Sequence, residues 1–433
     1  MSLEKEWKEK IHQKLLKVMD LSLIDSLDEA EARRQIEDIC YRLMADQAVP
    51  LNLEGRKRVA KMIEDEVMGL GPLEPLLADE VVSDILVNGP DTVYVEKLGK
   101  LVLTDVRFNS NEHLMNIIDR IVSRVGRRVD ESSPMVDARL QDGSRVNAII
   151  SPLTLDGPMM SIRRFSIKLL QMEDLIEMGT LTWPIAEVLK GIVNARLNVL
   201  ISGGTGTGKT TTLNILSAFI PDDERIITIE DSAELQLRQP HVVRLETRPP
   251  NIEGKGEIGQ RELVRNSLRM RPDRIVLGEV RGGEAFDMLQ AMNTGHDGSL
   301  TTIHANTPRD ALSRIENMVS MTGINIPPKA LRAQIASAID LVLQIERQED
   351  GRRRLVSVQE INGMEGDIIT MSELFNFQRE RIDDEGNVIG TFKATGIIPE
   401  FHSQFAKRGI ELPIDVFDPD RELDYQPQDM EAQ

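Results

Sequence analysis

The chain of 433 residues carries 52 Lys and Arg against 71 Asp and Glu, for a formal net charge of -19, with 40% hydrophobic and only 3% aromatic residues. That length suits about two or three domains with their own cores. The acidic balance argues against non-specific nucleic-acid or anionic-membrane binding as the main activity, because both draw on excess Lys and Arg.

A single cysteine, Cys40, excludes an internal disulfide and a multi-cysteine zinc site, and its place in the stripe Ile36, Ile39, Cys40, Leu43 makes it a core residue. No stretch approaches the ~20 consecutive apolar residues that span a bilayer, and the opening Met-Ser-Leu-Glu-Lys-Glu-Trp is charged where a signal peptide is apolar. A cytoplasmic protein without direct membrane insertion is expected.

The first sixty or so residues read as helices. Trp7, Ile11, Leu15 and Met19 recur on one face, Ser26-Leu-Asp-Glu29 forms a capping box for a second helix running toward Met44, and Val59, Met62, Ile63 and Val67 mark a third. No chemistry-bearing residue precedes Gly69, so this bundle is expected to recruit partners. Glycines and prolines from Gly69 to Pro75 interrupt helix, and the pattern then changes to period two. Strands are expected at Ile85–Asn88, Thr92–Glu96 and Leu101–Val106, a helix through Leu114, Ile117, Ile118, Ile121 and Val125, and further strands at Val136–Leu140, Arg145–Ile150 and Met159–Phe165. This mixture indicates a small α+β domain followed by a hinge at 166–180.

An apolar run, Val199–Ile201, then leads into Ser-Gly-Gly-Thr-Gly-Thr-Gly-Lys-Thr-Thr, in which Gly203, Gly208, Lys209 and Thr210 have P-loop spacing. Backbone N–H groups must approach phosphate oxygens closely, and Gly203, Gly204, Gly206 and Gly208 remove the Cβ atoms that would obstruct this. Thr205 and Thr207 complete the loop. The following helix points its positive end at the phosphates, Lys209 supplies a point charge, and the Thr210 hydroxyl suits Mg2+. Downstream, strands (226–230, 242–245, 274–278, 299–303, 341–346) alternate with helices (210–219, 262–269, 284–294, 308–318, 328–338), as a parallel sheet requires. Beyond Arg347 the chain reads as hairpins, and from Asp415 onward as an acidic tail that is solvated or serves in docking.

Hydrolysis needs further groups. Arg274-Ile-Val-Leu-Gly-Glu279 ends an apolar strand in an acid able to organise the Mg2+ shell, and Ile229-Glu-Asp-Ser-Ala-Glu234 offers carboxylates able to orient water. His296 and His304 flank one strand, with His304 at the carboxyl end, where ligands bind in such sheets.

Together these segments resemble the secretion-ATPase superfamily, the motors of type II and type IV secretion and type IV pili, and most closely its CpaF or Tad pilus ATPase branch. The carrying residues are Gly203–Thr211 (Walker A), Ile229–Glu234 (Asp box), Ser267–Gly282 (Walker B with its approach) and Thr294–Ala305 (His box), with Val87-Asn-Gly-Pro90, Asp142-Gly-Ser-Arg-Val-Asn147 and Ser161-Ile-Arg-Arg-Phe165 upstream. The resemblance implies an α/β architecture: a helical bundle (1–65), a small α+β, PAS-like domain (66–170), a hinge (171–180), a RecA-like P-loop ATPase domain (181–350), and C-terminal hairpins with an acidic tail (351–433). It implies an ATPase using ATP and Mg2+, a homo-hexamer peripheral to the inner membrane, and polytopic platform proteins as partners. Glu234 becomes the general base, Glu279 the acid organising Mg2+ and water alongside Thr210, and His304 a γ-phosphate sensor. Gly203–Thr211 hold the nucleotide. Arg139, Arg145, Arg163, Arg164, Arg244, Arg269 and Arg271 stand where family members place phosphate-contacting or intersubunit arginines. Ser232, where retraction motors carry proline, and the missing four-cysteine module favour the CpaF branch. Two other classes compete: a RecA-like nucleic-acid motor, disfavoured by the charge and few aromatics, and a non-catalytic nucleotide-gated scaffold, disfavoured by the intact Lys209, Glu234 and Glu279.

Overall fold

The amphipathic spacing near the start yields three helices in the computed structural model, which describes residues 3–19, 28–97, 99–165, 170–250 and 254–423. They are α1 (Leu3–Val18), α2 (Glu29–Asp46) and α3 (Leu53–Met68). The expected capping box at Ser26 falls outside the described residues; Asp28 caps α2, accepting from the Glu31 N–H at 2.8 Å. Ile11, Leu15, Ile36, Cys40, Met44, Val59 and Ile63 are fully buried between the three helices. Burial also pushes the Cys40 thiol up to about 12, which fits an inert core residue.

The chain divides into two compact units, Met1–Ile167 and Lys168–Gln433. In the first, a short helix α4 (Glu74–Ala78) precedes strands β1 (Val82–Asn88), β2 (Val93–Lys97) and β3 (Lys100–Leu103), then helix α5 (Asn111–Arg124), then β4 (Met135–Arg139), β5 (Arg145–Ile149) and β6 (Met159–Arg163). Among the described residues these form an antiparallel six-stranded sheet ordered β3-β2-β1-β6-β5-β4. Alternation puts Ile85, Val87, Val146, Ala148, Met160 and Ile162 on one face, where Leu114, Ile117, Ile118 and Ile121 of α5 cover them. The bundle is tied to this module by charge as well as by chain. Glu66 of α3 pairs with Lys8 of α1 and with His113 of α5, and Arg120 donates to the Glu66 and Gly69 carbonyls at 2.9 and 2.6 Å.

In the second unit, the segment expected as a linker contains helix α6 (Met172–Glu177), with Met172 and Leu175 buried. Helix α7 (Trp183–Asn194), not among the elements expected from sequence, follows; it is buried on most sides, with Glu187, Lys190 and Asn194 along one polar face. Strand β7 (Val199–Gly203), helix α8 (Lys209–Ser217), β8 (Ile226–Glu230), β9 (Val242–Glu246), α9 (Gln260–Ser267), β10 (Arg274–Val280), α10 (Glu284–Asn293), β11 (Leu300–His304), α11 (Pro308–Ser320), α12 (Pro328–Ala338) and β12 (Leu341–Arg347) alternate as expected. Strands β13 (Arg353–Glu365), β14 (Ile368–Ile382) and β15 (Val388–Ala394) then extend the same sheet in antiparallel fashion. Its order among the described residues is β15-β14-β13-β12-β7-β11-β10-β8-β9.

Val199 and Ile201 face the core under α7 and α8, whereas Leu200 faces the core under α9 to α12, so β7 is buried on both sides. The region beyond Asp415 differs from the expected solvated tail as far as it is described. Val416, Phe417 and Leu423 are buried in the first of these cores, beside Phe375 of β14 and Phe401 and Phe405 around a last helix, α13 (His402–Lys407). Apolar residues hidden among Asp and Pro decide this burial.

Candidate active site

The parallel strands set the site by ending at one edge. Gly203 of β7 lies opposite His304 of β11 on one side and Ile345 of β12 on the other, while Val280 of β10 lies opposite Ile303. The carboxyl ends of β12, β7, β11, β10 and β8 therefore bring the P-loop, His304, Glu279 and the Asp box together.

Within the P-loop, a Cβ on Gly203 would stand 2.5 Å from the Ile345 carbonyl oxygen and 2.6 Å from Thr207 Oγ1, so only glycine fits beside β12. Gly206 and Gly208 adopt φ +72° and +97°, the left-handed region that turns the chain into α8. Thr207 Oγ1 and Lys209 Nζ both donate to the Gly204 carbonyl, at 3.0 and 2.8 Å, closing the loop on itself. Thr210 and Thr211 lie partly buried in the first turn of α8.

A chain of charges continues from Lys209. Its ammonium is 3.4 Å from both ring nitrogens of His304. His304 Nε2 is 2.9 Å from Glu279 Oε1, Arg281 Nη2 donates to Glu279 Oε2 at 2.7 Å, and Arg281 Nη1 reaches Asp231 Oδ2 at 3.3 Å. Lys209 is donor-only and Glu279 acceptor-only, so the tautomer that serves both has its proton on Nε2 and its lone pair on Nδ1. Burial pushes the Lys209 ammonium down, with Glu279 opposing. Burial and then the neighbouring Lys209 charge push His304 down as well. The hydrogen bond that Arg281 donates to Glu279 holds its guanidinium up.

The Asp box is fixed from two sides. Glu230 is buried, and its Oε2 accepts from the Glu234 and Leu235 N–H groups at 2.7 and 3.0 Å. Asn214 Oδ1 of α8 accepts from the Gln236 N–H at 2.8 Å. Burial raises the Glu230 carboxyl, while its Oε2 holds the loop that presents Glu234. Glu284, also buried, accepts from the Arg281 and Gly282 N–H groups at 2.6 and 2.7 Å and fixes the turn after β10. Asn214, Arg281 and Glu284 have no role legible in sequence, and Glu230 reads there only as one of the acids able to orient water. Their partners lie two to fifty residues away, with Arg281–Asp231 at the far end of that span.

Other expected residues fall elsewhere. Arg269 and Arg271 precede β10 and so lie at the opposite edge of the sheet from this chain's own P-loop, roughly a strand length of ~20 Å away. Within one chain they do not reach the phosphate loop. His296 precedes β11, likewise at the far edge, and its Nδ1 is 3.2 Å from the Ala291 carbonyl that ends α10, a capping role. Arg244, on the edge strand β9, acts electrostatically on Glu230. In the first unit, Arg164 Nη1 donates to the Asp79 carbonyl and, at 3.5 Å, to the Val82 carbonyl at the start of β1. Arg139, Arg145 and Arg163 are cross-strand neighbours along β4, β5 and β6, with Asp84 opposite Arg163 and bonded to it at 3.2 Å. Guanidinium groups in adjacent register repel one another, and Asp84 offsets the charge of Arg163.

A Gly-lined anion cradle, a buried lysine, and strand-end carboxylates on a parallel sheet define a P-loop ATPase of the RecA-like class. The chain matches the type II/IV secretion system protein family over residues 66–368 and belongs to that family. It is 38% identical over 312 residues to a putative conjugal transfer protein of Mycobacterium tuberculosis (strain ATCC 25618 / H37Rv), covering 71% of this chain and 88% of that protein. It is 32% identical over 316 residues to the type IV secretion system protein VirB11 of Bartonella henselae, covering 65% and 88%. The crystal structure of the pilus retraction motor PilT with bound ADP shares the fold, with a TM-score of 0.51 and 19% identity over 79% of this chain and 86% of that one. The protein is thus an ATPase of the type II/IV secretion system family. Among the described residues no helix is long and apolar enough to cross a membrane.

Proposed function

We propose that this ATPase is the Mg2+-dependent, homo-hexameric motor of a Tad/Flp-type pilus, the CpaF branch, working on the cytoplasmic side of the inner membrane against polytopic platform proteins and without a nucleic-acid substrate. The observation that carries its motor chemistry is the connected set Lys209, His304, Glu279, Arg281 and Asp231, which links Walker A, the His box, Walker B and the Asp box through contacts of 2.7–3.4 Å. An event at the γ-phosphate beside Lys209 is thereby felt at the Asp box and at the turn after β10. Ser232 and the single cysteine support the branch. The cradle at Gly203, Gly206 and Gly208 fits a nucleotide triphosphate. The oxygen donors Thr210, Glu279 and Asp231 suit a hard cation such as Mg2+, which would supply charge neutralisation at the phosphates. Glu234, whose N–H donates to Glu230 Oε2, would accept a proton from water. Arg139, Arg145 and Arg163 are proposed to act across a subunit boundary, and the α1–α3 bundle to recruit the platform.

Nucleotide affinity and turnover test the chemistry. Lys209→Ala should lose both, whereas Glu234→Gln should bind ATP and fail to hydrolyse it, because the amide is nearly isosteric but accepts no proton. Full turnover in Glu234→Gln removes it as the base. The conjugal-transfer and type IV secretion names of the relatives favour a second reading, a type IV secretion ATPase. Deleting the gene and scoring pili against conjugative transfer separates the two.

A further inference from the structure

The turn between β12 and β13 reaches the P-loop, although it lies outside every sequence box. Because β12 runs parallel to β7 with Ile345 opposite Gly203, its last residues, Glu346 and Arg347, continue past the end of β7 on the P-loop side. Gly351, at φ +81°, turns the chain, and Gln348 N–H donates to the Arg352 carbonyl at 2.8 Å. Three consecutive arginines follow. Arg354 is buried, pairs with Asp350 at 3.1 Å, donates to the Val388 carbonyl at 2.9 Å, and lies over the Phe377 ring at 4.8 Å. That fixes one face of β13, and strand alternation sends Arg353 to the other. There its Nε donates to the Gly206 carbonyl at 3.0 Å, and its Cδ stands 3.1 Å from the position a Cβ would take on Gly208. The arginine stem therefore crosses both left-handed glycines of the loop.

We infer that Arg353 is a positioning residue for the P-loop, setting nucleoside di- and triphosphate affinity from the β12–β13 hairpin. Two physical effects converge. Holding the Gly206 carbonyl outward orients the 206–207 peptide so that the next N–H groups face the anion, which reduces the ordering cost of binding. A fixed guanidinium beside the loop also adds favourable field for a polyanion. Neither effect changes between ground state and transition state, so Arg353 governs binding and leaves the chemical step alone.

This rests on nucleotide binding at the P-loop, and the test keeps the two separable. Arg353→Ala, Arg353→Met and Arg353→Lys are compared in the full chain for ADP Kd, ATP KM, kcat and thermal midpoint, with Lys209→Ala as reference. The expected result is a rise of about five- to twentyfold in KM and Kd for Ala and Met, kcat within about twofold, and recovery to within about threefold in Lys, which keeps a charge and a donor. Unchanged Kd in Arg353→Ala, or a loss that follows the thermal midpoint and is not recovered by Lys, overturns the inference. Unchanged binding in Lys209→Ala would instead overturn the site itself.

Discussion

Glu66→Gln isolates the charge that binds the N-terminal helices to the rest of their unit. The Glu66 side chain is 8% exposed; burial alone would raise it, yet His113 and Lys8 hold the carboxyl down at about 2, against 4.5 for a free one. A group lowered in the fold contributes stability that is complete above pH 4.5 and lost as the pH falls through about 2. The difference is worth about 3 kcal/mol at neutral pH, a sizeable part of the roughly 5–15 kcal/mol that a domain possesses. Glu66→Gln should therefore lower stability at pH 7 by about 2–4 kcal/mol and flatten its pH dependence between 4.5 and 2. The chain has two tryptophans, and a Trp183→Phe background leaves Trp7, which packs against the bundle core, as the fluorescent reporter. Urea unfolding at pH 7 and pH 3.5, with hydrogen exchange of the α5 amides alongside, should show Trp7 and α5 losing structure together. If Glu66→Gln retains the parent pH dependence, or if Trp7 unfolds well before α5, the bundle is a separate appendage and this reasoning fails.

His304 is pushed below the usual histidine range by burial and by Lys209, so it is neutral at pH 7 and protonates only at lower pH, breaking its contact with the Lys209 ammonium. The acid limb of the kcat/KM profile should fall below the ordinary His value and vanish in His304→Gln; an unchanged limb in that variant assigns it to another group. Arg274 is fully buried at the far edge of the sheet and donates to Glu224 at 2.6 Å. Glu224→Gln should cost about 3–5 kcal/mol, because it leaves a buried charge unbalanced, and denaturant unfolding reads this directly. Phe417→Ala should cost about 3–5 kcal/mol if the segment after Asp415 is packed as described, whereas a near-neutral effect would mark it as solvated.

Local signals carried the strand–loop–helix of Walker A, the alternation of strands and helices from Val199 to Arg347, and the order of the four boxes. Each depends on spacing within about a dozen residues, which the chain writes in one dimension. The sheet decided the rest. Parallel direction put His304 and Glu279 at the P-loop edge and sent His296, Arg269 and Arg271 to the other, a separation invisible to proximity in sequence. Glu230 looked like a candidate base among three acids, and only its burial against the Glu234 and Leu235 N–H groups gave it a holding role. Val416, Phe417 and Leu423 read as part of a polar tail until long-range packing gave them a core to enter. Arg353 is one of three like neighbours, and the strand's period of two, anchored by Arg354, selects it for Gly206. Sequence fixes which chemistry is available; the register of strands far apart in the chain fixes which atoms meet, because hydrogen-bond pairing and close packing act through space.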